Sequence, residues 1–433
     1  MAGTPHTFKL GQLNLQGSRA ATDELPAIMR ERGLDVALVQ EHYPRPSIVT
    51  VQGAPLAKAG IAVRSGDLTC TALHHLSNAH CAVAHISGVG RGLHVVSAYF
   101  QYSDDVAVHI HHLRRVLESL RGQDVVIGVD CNAHSPLWFC ERRQYEGRGP
   151  DTEYRRNQVE GFLLGTGLRI ANVEGEPPTF CGPNGASNVD LTLTRGSIRV
   201  RNWAVHEGAS VSDHQLITFD VSTPAAGVQA PSARNLAEEP KAYRDRGVDW
   251  KRFRACLHHR MGRLVTSAGA NRVCSHFCNI LERTAGDCLG TKKARDSTGY
   301  EWWSPALDKL RGEHGRARRV WQRARAAGGD AELRLRDAYH AVRGRYRRAM
   351  AEAELRFNRD IAETGNRDPW GLAYRAASGR VRPPSNVVSG TRLVEGFADN
   401  DMDAMRGLLY SLCPDDDINR DSAHHRQLRL AAA

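Results

Sequence analysis

The feature that most constrains the fold is the stretch VVIGVDCNAHSPLW, residues 125–138. It begins with the β-branched run 125–127, whose composition is typical of a strand buried on both faces. The apolar pattern breaks at the following glycine, and Asp130, Asn132 and His134 then come at alternate positions. The stretch therefore predicts a buried strand that delivers an acid, an amide and an imidazole to one edge of a sheet.

Polar side chains follow several predicted strands in the first half of the chain, including the strand just described. A single acid in such a place is most often a turn former, and a single histidine is most often a surface or satisfied core residue. Several together indicate a site, because strand ends converge in clefts and because acids beside apolar strands need a cation or hydrogen bonds. The residues concerned are Asn14, Glu41, Tyr99, Asp130, Asn132, Asp190, Asp213 and His214.

The order of short apolar runs and helix-like stretches predicts the organisation of the chain. Residues 1–222 alternate strands and helices without a strict βαβ repeat, which favours an α/β (α+β) domain of sheets covered by helices. Residues 223–240 are rich in Pro, Ala, Ser and Gly, the composition of a linker. The Arg-rich residues 241–380 carry one apolar stripe at helical spacing between residues 335 and 361, which predicts a helical hairpin. Residues 381–433 are weakly patterned and form a predicted tail.

The net charge of +10 is concentrated in the second half of the chain. Residues 1–222 contain 20 Lys and Arg against 22 Asp and Glu, so the remaining residues carry 38 against 26. A basic region of this kind is typical of proteins that bind a polyanion. Two interpretations remain open: the arginines contact nucleic acid, with Trp or Tyr available for stacking, or they are the solvated side chains of a helical spacer.

Composition also bears on the compartment and on cysteine chemistry. No apolar run approaches the ~20 residues that span a bilayer, and the N-terminal residues lack the pattern of a secretory signal, so we expect an intracellular protein without a membrane partner. The ten cysteines are scattered, which favours reduced thiols. One helix-like stretch contains four possible zinc ligands: Cys274, His276, Cys278 and Cys288. Cys274 and Cys278 are one helical turn apart and have apolar neighbours, so we expect buried thiols and not a zinc site.

The residue types at the strand ends favour metal-assisted hydrolysis of a phosphate ester. Asn and Glu oxygens suit a hard cation such as Mg²⁺. The acid and amide of the sequence DCN can hold and deprotonate a water molecule, and a His paired with an Asp can stabilise the charge that develops on the phosphate. Cys131 has no partner cysteine at ligand spacing, so the sequence gives little support to a zinc-thiolate site here.

Five motifs occur in the order and spacing of the endonuclease/exonuclease/phosphatase superfamily: QLNLQGSRAATDEL, VALVQEHY, VDCNAHSPLW, SNVDLTL and SDHQLITF. Within it they most resemble the apurinic-type endonuclease at the start of non-LTR (LINE-type) retrotransposon proteins, and NAHSPLW and QGSRAATDEL resemble arthropod-type elements. The resemblance covers about the first 220 residues. It implies a DNase I-like, four-layer α/β/β/α sandwich with the site at one edge of the paired sheets.

The resemblance implies a role for each residue that matches a motif of the family. Asn14 and Glu41 would hold the divalent metal, Mg²⁺ or Mn²⁺, against the scissile phosphate. Asp130 would orient and activate the attacking water, and Asn132 would help to fix that water. The resemblance implies no small-molecule cofactor.

Other matched residues would act on the phosphate and on the DNA. His214 would contact the phosphate, oriented by Asp190. Asp213 would complete the network of metal contacts and hydrogen bonds, and Tyr99 would form a hydrogen bond with the phosphate or the substrate. The predicted substrate-binding residues belong either to the NAHS signature or to the turn that relatives insert into the DNA minor groove, and they are His134, Asn184 and Asn188.

The chain beyond the predicted linker resembles the connector between endonuclease and reverse transcriptase in the same proteins. The recognisable pieces are WWSPALDKLRGEHGRARRVWQRAR, YRRAMAEAELRFNRD and DPWGLAYRAASGR. No polymerase motif follows, so we expect a polyprotein truncated before the reverse transcriptase. The resemblance implies a nuclear enzyme that nicks one strand of target DNA and leaves a 3′-hydroxyl for target-primed reverse transcription, with element RNA as a further partner of the basic region.

Two alternatives remain open at the level of the sequence. The first keeps the fold but assigns a small or lipid phosphoester as the substrate. The second is a catalytically inactive, nucleic-acid-binding remnant, since retroelement copies decay. The retroelement-like connector argues against the first alternative, and the intact set of site residues argues against the second.

Overall fold

A computed structural model gives the fold of this protein. It describes residues 7–222 except 46, 65–67, 89–91 and 183–184, and then 243, 248–262, 270–289, 302–327, 331–365, 374, 387–393, 396–412, 419 and 421–432. Within these ranges, no helix combines the length and the apolar character that crossing a membrane requires.

The strands of the described residues form two mixed sheets and a separate hairpin. In chain order they are β1 (Thr7–Asn14), β2 (Val36–Gln40), β3 (Val51–Gln52), β4 (Ala59–Val63), β5 (Thr69–Ala72), β6 (Cys81–Ser87), β7 (Leu93–Tyr99), β8 (Val125–Asp130), β9 (Arg169–Ile170), β10 (Phe180–Gly182), β11 (Gly185–Ser187), β12 (Asp190–Arg195), β13 (Arg199–His206), β14 (Leu216–Ser222) and β15 (Val387–Ser389). The first sheet has the order β13-β14-β1-β2-β4-β3, and the second has the order β15-β5-β6-β7-β8-β12-β9. β10 and β11 form the hairpin.

Helices α1, α2 and α4 cover the outer faces of the sheets, and further helices follow in the second half of the chain. In chain order they are α1 (Arg19–Arg32), α2 (Val106–Ser119), α3 (Arg142–Tyr145), α4 (Pro150–Thr166), α5 (Trp250–Met261), α6 (Ala270–Cys288), α7 (Pro305–Ala327), α8 (Ala331–Gly365), α9 (Asp401–Leu412) and α10 (Ala423–Ala432). α1 shows how local sequence sets such bounds. The Ser18 hydroxyl accepts a bond from the backbone N–H of Ala21 at 3.3 Å, and Gly33 ends the helix with a φ of 65°.

Three apolar cores hold four layers together. The core between the sheets contains side chains from both, such as Leu38 of β2 and Val95 of β7. A second core joins the outer face of the second sheet to Leu113 of α2 and Phe162 of α4. The third joins the outer face of the first sheet to Ile28 of α1. The layer order of helix, sheet, sheet and helix confirms the predicted α/β/β/α sandwich.

The pleat of β8 explains the position of Asp130. Residues of this strand alternate between two cores, so Ile127 packs with α2 and α4 while Val126 packs with the first sheet. Asp130 is on the same face as Val126, and its side chain therefore points between the sheets at the end of the strand. Gly128 shares this face, and its lack of a Cβ leaves room for the side chain of Gln12, which would lie 3.0 Å from an added Cβ.

α7 and α8 form the helical hairpin that the apolar stripe predicts, and they pack against the sandwich. Tyr346 and Met350 of α8, together with Trp302 and Leu307, belong to the core that contains α1 and the first sheet. The hydroxyl of Tyr346 donates a hydrogen bond to buried Glu24 of α1 at 2.9 Å. The interpretation as a solvated spacer therefore does not describe this hairpin.

The chain divides into two compact units. The first comprises Met1–Ala226 and Thr298–Ala433, so it contains the sandwich and the α7–α8 hairpin. The second comprises Gly227–Ser297. The units group residues by their packing in space, whereas the boundaries at residues 222, 240 and 380 were predicted from composition along the chain. The two divisions differ, and the boundaries from composition remain a prediction.

The second unit contains the packed helices α5 and α6. Arg260 of α5 forms an ion pair with Asp287 of α6. Cys278 of α6 is exposed, so the prediction of a buried thiol is wrong for this residue. Ile280, which is buried, lies two residues further along, and two residues of an α-helix turn the side chain to nearly the opposite side. The side chain of Cys274 lies outside the described residues.

Part of the predicted tail adds to the second sheet. β15 pairs in parallel with β5 at the edge of that sheet. The hydroxyl of Ser87 donates a hydrogen bond to Asp401, the first residue of α9, at 2.9 Å. Phe397 stacks on His75 with ring centroids 4.9 Å apart. A strand of three residues depends on an existing sheet edge more than on its own periodicity, so the sequence pattern does not reveal it.

Candidate active site

Strand ends from both sheets meet at one edge of the sandwich. In the second sheet, Asp130 at the end of β8 lies between Tyr99 on β7 and Asp190 on β12. In the first sheet, Asn14 at the end of β1 is paired with Gln40 at the end of β2. Because β1–β2 and β7–β8 are parallel pairs, their carboxyl ends come together. Polar residues that follow apolar runs in the sequence therefore become neighbours.

The carboxamide of Asn14 links acids of the two sheets. Its Nδ2 donates hydrogen bonds to Oδ2 of Asp130 at 2.8 Å and to Oε2 of Glu41 at 3.1 Å. Its Oδ1 accepts a bond from the backbone N–H of Gln16 at 2.7 Å. Asn14 and Asp130 are 0% and 1% exposed. Two acids and one amide are thus held in contact at the end of the apolar core, where buried polar groups need partners.

His214 reaches the same acids from the loop between β13 and β14. Its Nδ1 donates a hydrogen bond to Oδ2 of Asp190 at 2.8 Å, and its Nε2 lies 3.9 Å from Oδ2 of Asp130. All three side chains are buried, and their candidate ligand atoms lie within 4.8 Å of one another. The ring of Phe180 packs on His214 with ring centroids 4.9 Å apart. One carboxylate and one aromatic ring therefore fix the orientation of the imidazole.

Burial and charge shift the pKa values of this cluster. Burial, followed by the charge of Asp190, raises the pKa of Asp130 to about 7, although the neighbouring His214 opposes the rise. Burial alone would lower the pKa of His214, but Asp190, Asp130 and Glu41 outweigh it and raise the pKa to about 9. Near neutral pH the imidazole is therefore a cation, while the carboxyl group of Asp130 can both lose and gain a proton.

Tyr99 and Asn132 line the site beside Glu41. The hydroxyl of Tyr99 is in hydrogen-bond contact with the side chains of Glu41 and Asn132, and burial, followed by the charges of Glu41 and Asp130, raises its pKa. Nδ2 of Asn132 donates to the carbonyl of Phe100 at 3.1 Å, and its backbone N–H donates to Oδ1 of Asp130 at 3.1 Å. Since its pKa is raised from an ordinary value of 10.0, Tyr99 is a neutral hydrogen-bond donor at this site.

The backbone turns sharply just after three of the strands. Gln16, Glu41 and Asn132 have φ values of 54°, 44° and 46°. This left-handed conformation is uncommon for residues other than glycine and costs ~1–3 kcal/mol each. The turns end the pleat at the edge of the sheets, within two residues of Asn14, Gln40 and Asp130 at the ends of β1, β2 and β8.

The loop between β13 and β14 holds Asp213 and His214 through backbone contacts. The hydroxyl of Ser212 donates to the carbonyl of Asn14 at 2.6 Å, and the backbone N–H of His214 donates to that hydroxyl at 3.2 Å. The carboxylate of Asp213 accepts a bond from Nε2 of Gln16 at 2.9 Å and is partly exposed. Asp213 therefore lies at the rim of the site, outside the buried cluster.

The predicted substrate-binding residues are not members of the hydrogen-bonded cluster that the described residues form. His134 is partly buried after β8, and burial lowers its pKa. Asn188 stabilises the turn that precedes β12: its Oδ1 accepts from the N–H of Thr179 at 3.2 Å, and its Nδ2 donates to the carbonyl of Phe139 at 3.1 Å. Asn184 lies outside the described residues. Roles in substrate binding remain predictions for all three.

Sequence reasoning missed some of the residues that shape the site. Gln12 and Gln40 are buried between the sheets, where Gln12 accepts a bond from Thr192 at 3.0 Å and Gln40 donates one to Ser97 at 3.0 Å. Both could have been found as polar positions on the inward face of apolar strands. Phe180 offers no such signal, because an aromatic residue before a turn is common.

The donor groups of the site fit a divalent cation that prefers oxygen. Glu41 and Asp130 bind the same amide nitrogen, and Oδ1 of Asp190 is buried without a hydrogen-bond partner among the described residues. Acids this close repel one another unless a cation compensates their charge. Asn14 turns its nitrogen toward them, so it would bind a cation after its amide rotates. Glu41 and, with that rotation, Asn14 offer oxygen atoms to such a cation beside Asp130.

Residues 93–218 match the family model described as Endonuclease-reverse transcriptase. The matched segment includes Tyr99, Asp130, Asn132, Asp190 and His214. Asn14 and Glu41 precede it in the chain and enter the site from the first sheet.

The chain is also similar to proteins of known retroelements. It is 27% identical over 305 residues to "Retrovirus-related Pol polyprotein from type-1 retrotransposable element R1" of Bradysia coprophila, covering 69% of this chain and 30% of that protein. It is 26% identical over 401 residues to "Putative 115 kDa protein in type-1 retrotransposable element R1DM" of Drosophila melanogaster, covering 86% of this chain and 37% of that protein. The chain thus spans about a third of the length of these curated relatives.

Among solved structures, the chain is similar to "Endonuclease domain of TRAS1, a telomere-specific non-LTR retrotransposon". The two are 27% identical, with a TM-score of 0.44, and the similarity covers 49% of this chain and 98% of that chain.

Proposed function

We propose that this chain, which carries a retrotransposon endonuclease-like domain of the endonuclease/exonuclease/phosphatase superfamily and is homologous to R1 retrotransposon polyproteins, is a divalent-metal-dependent DNA endonuclease. The match and the homology confirm the resemblance that the sequence motifs predicted. The proposed reaction is hydrolysis of one phosphodiester bond in duplex DNA, which nicks one strand and leaves a 3′-hydroxyl.

One observation carries the proposal. Buried Asp130 lies between the amide of Asn14 on one side and the His214–Asp190 pair on the other. Hydrolysis of a phosphodiester needs a base for water, a positive charge for the phosphate and oxygen ligands for a metal, and this cluster holds all three. A module that only binds nucleic acid has no need to bury two acids beside a histidine, since such burial is costly.

Asp130 and Asn132 would act on the attacking water. The carboxylate of Asp130 takes the proton of the water, and a pKa near 7 suits a base that works near neutral pH. The backbone N–H of Asn132 fixes Oδ1 of Asp130, so that the other oxygen keeps its direction. When held by Glu41 and Asn14, a divalent cation would supply Lewis-acid polarisation of the phosphate.

His214 and Tyr99 would act on the phosphate itself. The imidazolium of His214 donates a hydrogen bond to a phosphate oxygen as negative charge develops, and Asp190 keeps the ring and its proton in place. The neutral hydroxyl of Tyr99 donates a second bond. Asp213, bonded to Gln16, would hold the rim of the site in place.

The choice of DNA as the substrate rests on the relatives and on charge. Both curated relatives are named as proteins of type-1 retrotransposable elements, and the second half of this chain carries the excess of Lys and Arg. We extend the proposal to nuclear action on chromosomal target DNA, to use of the 3′-hydroxyl as a primer, and to contact between the basic region and element RNA.

The nicking of supercoiled plasmid by the full chain tests the proposal. The wild type is compared with Asp130→Ala and His214→Ala, in Mg²⁺, in Mn²⁺ and in EDTA. Asp151→Ala, at an exposed acid in the first turn of α4, is the matched control. We expect metal-dependent open circles from the wild type and from the control, and none from the other two variants. Extension of the nick by a DNA polymerase would show the 3′-hydroxyl.

Other results would point to a different function. Salt-sensitive plasmid binding without nicking in any metal would identify an inactive nucleic-acid-binding remnant. Release of phosphate from small or lipid phosphoesters, with the plasmid left intact, would identify a phosphoesterase of the same superfamily. Nicking that persists in Asp130→Ala would contradict the assignment of the water-activating base.

A further inference from the structure

Arg318 of α7 is buried beneath the loop that carries Asp213 and His214. Only 1% of this arginine is exposed. Its guanidinium group donates hydrogen bonds to the backbone carbonyls of Ser210 at 3.0 Å, of Ser212, and of Asp213 at 3.0 Å. Burying a guanidinium is costly unless its N–H groups find acceptors, and here backbone carbonyls of the loop are the acceptors.

The second helix of the hairpin extends this set of contacts. Arg343 of α8 donates to the carbonyl of Val211 at 3.2 Å, so the hairpin binds each of the four successive carbonyls of residues 210–213. The N–H of Val211 donates to Glu24 of α1 at 2.7 Å, and Glu24 also accepts a bond from Tyr346 of α8. α1, α7 and α8 together therefore fix the backbone of this loop.

The loop and α7 also approach each other backbone to backbone. A Cβ added to Gly208 would lie 2.8 Å from the carbonyl oxygen of Gly315 in α7, and one added to Gly315 would lie 2.5 Å from the carbonyl oxygen of Gly208. Both positions therefore require glycine. Further along α7, Arg325 donates to the carbonyl of Gly182 at 2.6 Å, in the β10–β11 hairpin that packs an aromatic ring on His214.

These contacts reach the reacting groups through a very short path. Ser212 and Asp213 immediately precede His214, and the hydroxyl of Ser212 bonds both the N–H of His214 and the carbonyl of Asn14. A shift of the loop would therefore move the imidazole relative to Asp190. A misplacement of about 1 Å costs about 100-fold in rate when a catalytic group must meet its substrate in one geometry.

We infer that the α7–α8 hairpin is an integral part of the catalytic domain and that Arg318 is a positioning residue that holds residues 210–214 for catalysis. The inference rests on the proposed endonuclease function. Arg318 and Arg343 of the connector would then hold the backbone of residues 210–213 in place. This role differs from nucleic-acid binding and from simple solvation of the side chains.

Steady-state nicking by the full chain tests the inference, with Arg318→Met, Arg318→Lys and the control Arg356→Met. Arg356 is exposed on α8 and bonds a carbonyl of its own helix. We expect Arg318→Met to lower kcat by about 100-fold while KM for DNA changes by less than about threefold, because the loop and not DNA contact is disturbed. Arg318→Lys keeps a hydrogen-bond donor and the positive charge, so its kcat should be within about 10-fold of the wild-type value. The control Arg356→Met should have the wild-type kcat.

Hydrogen exchange of the amides in residues 210–215 gives a readout that does not depend on nicking. We expect faster exchange there in Arg318→Met than in the wild type or in Arg356→Met, since the acceptors of Arg318 lie in this loop. Unchanged kcat in folded Arg318→Met would overturn the positioning role, and unchanged exchange would show that Arg318 does not order the loop. If Arg318→Met does not fold, Arg318→Lys and Arg343→Met take its place, and wild-type kcat and exchange in both would overturn the inference.

The two proposals fail in different ways. A wild-type chain that never nicks DNA contradicts the endonuclease function, while the exchange measurement still decides whether Arg318 orders the loop. A wild-type chain that nicks at the same rate as folded Arg318→Met contradicts only the positioning role.

Discussion

Nδ1 of His214 donates a hydrogen bond of 2.8 Å to Oδ2 of Asp190, and both side chains are buried. Asp190 begins β12 of the second sheet, whereas His214 precedes β14 of the first sheet. The pair therefore bridges the two sheets at their edge, and it exists only when the sandwich is closed. A charge-assisted bond of this kind fixes both the ring and its proton.

Replacing Asp190 with asparagine should remove most of the activity. The amide keeps the shape of the carboxylate but removes the charge that, against burial, contributes most to raising the pKa of His214, so the pKa of the imidazole falls and its positive charge is held less firmly. We expect the nicking rate to fall by about 100-fold or more, as for the loss of a preorganised charge. Plasmid nicking at neutral pH measures the effect, with Asp151→Asn as the control. An unchanged rate would contradict the role of Asp190.

The pH profile of the wild type should have an alkaline limb set by His214. The pKa of this imidazole is raised to about 9, so its positive charge is present below that value and is lost as the pH rises through it. The acid limb should lie at or below about pH 7, where Asp130 gains a proton, because a bound cation favours the ionised carboxylate. Measuring kcat/KM for nicking against pH tests both limbs. A rate that keeps rising above pH ~10 would show that His214 does not act as a cation.

Glu41→Gln should weaken the binding of the divalent cation. The amide keeps the contact with Asn14 but loses the negative charge that a hard cation prefers. We expect the Mg²⁺ concentration for half-maximal nicking to rise by about 10-fold or more, and the rise of Tm that Mg²⁺ causes in the wild type to shrink. Glu118→Gln, at an exposed acid on α2, is the control. Equal Tm shifts in all three proteins would rule out Glu41 as a ligand.

His314 of α7 should make the protein sensitive to acid. It is fully buried, and burial, followed by the charges of Arg318 and Arg343, lowers its pKa to about 3 from the ordinary 6.5. The unfolded chain therefore binds a proton here more readily, and the free energy of unfolding falls as the pH drops below about 6.5. The free energy of unfolding of His314→Leu should lose less than that of the wild type between pH ~7 and pH ~4.5. We expect this difference to be about 3 kcal/mol in favour of His314→Leu.

Denaturant unfolding at these two pH values checks the His314 prediction. His111→Leu, at an exposed histidine on α2, controls for the general effect of replacing a histidine with leucine. The difference in free energy of unfolding between the wild type and His314→Leu should be larger at the lower pH. The corresponding difference between the wild type and the control should be the same at both pH values. A difference that is the same at both pH values would show that the protonation of His314 has no part in acid unfolding.

Most residues of the buried cluster could be singled out in advance. Asn14, Asp130 and Asp190 stand next to apolar runs, and a polar residue at the end of such a run is visible in the sequence itself. Strands and helices covering sheets were equally accessible, because their periodicities are local properties, whereas the four-layer sandwich was implied by the resemblance to the family. What each side chain binds was not accessible: the amide nitrogen of Asn14, and not its oxygen, faces both acids.

The connector was the part that the sequence described least well. The sequence does not distinguish Arg318 from Arg316 and Arg323, which lie on the same basic helix and are exposed. Arg318 is buried only because of the orientation of α7 against the loop. The left-handed conformation of Glu41 likewise has no signature in its residue type. Both depend on contacts between segments that are far apart in the chain.

The sequence by itself determined most strands and helices of the sandwich, the chemical types of its site residues and their places at the ends of strands. The tertiary structure alone decided that His214 meets Asp190, that burial and neighbouring charge move the pKa of Asp130 to about 7, and that Arg318 lies under the loop that carries His214. The reason is physical. Periodicity and turn chemistry act over a few neighbouring residues, whereas burial and electrostatic interaction depend on distances that exist only after the sheets and helices have packed.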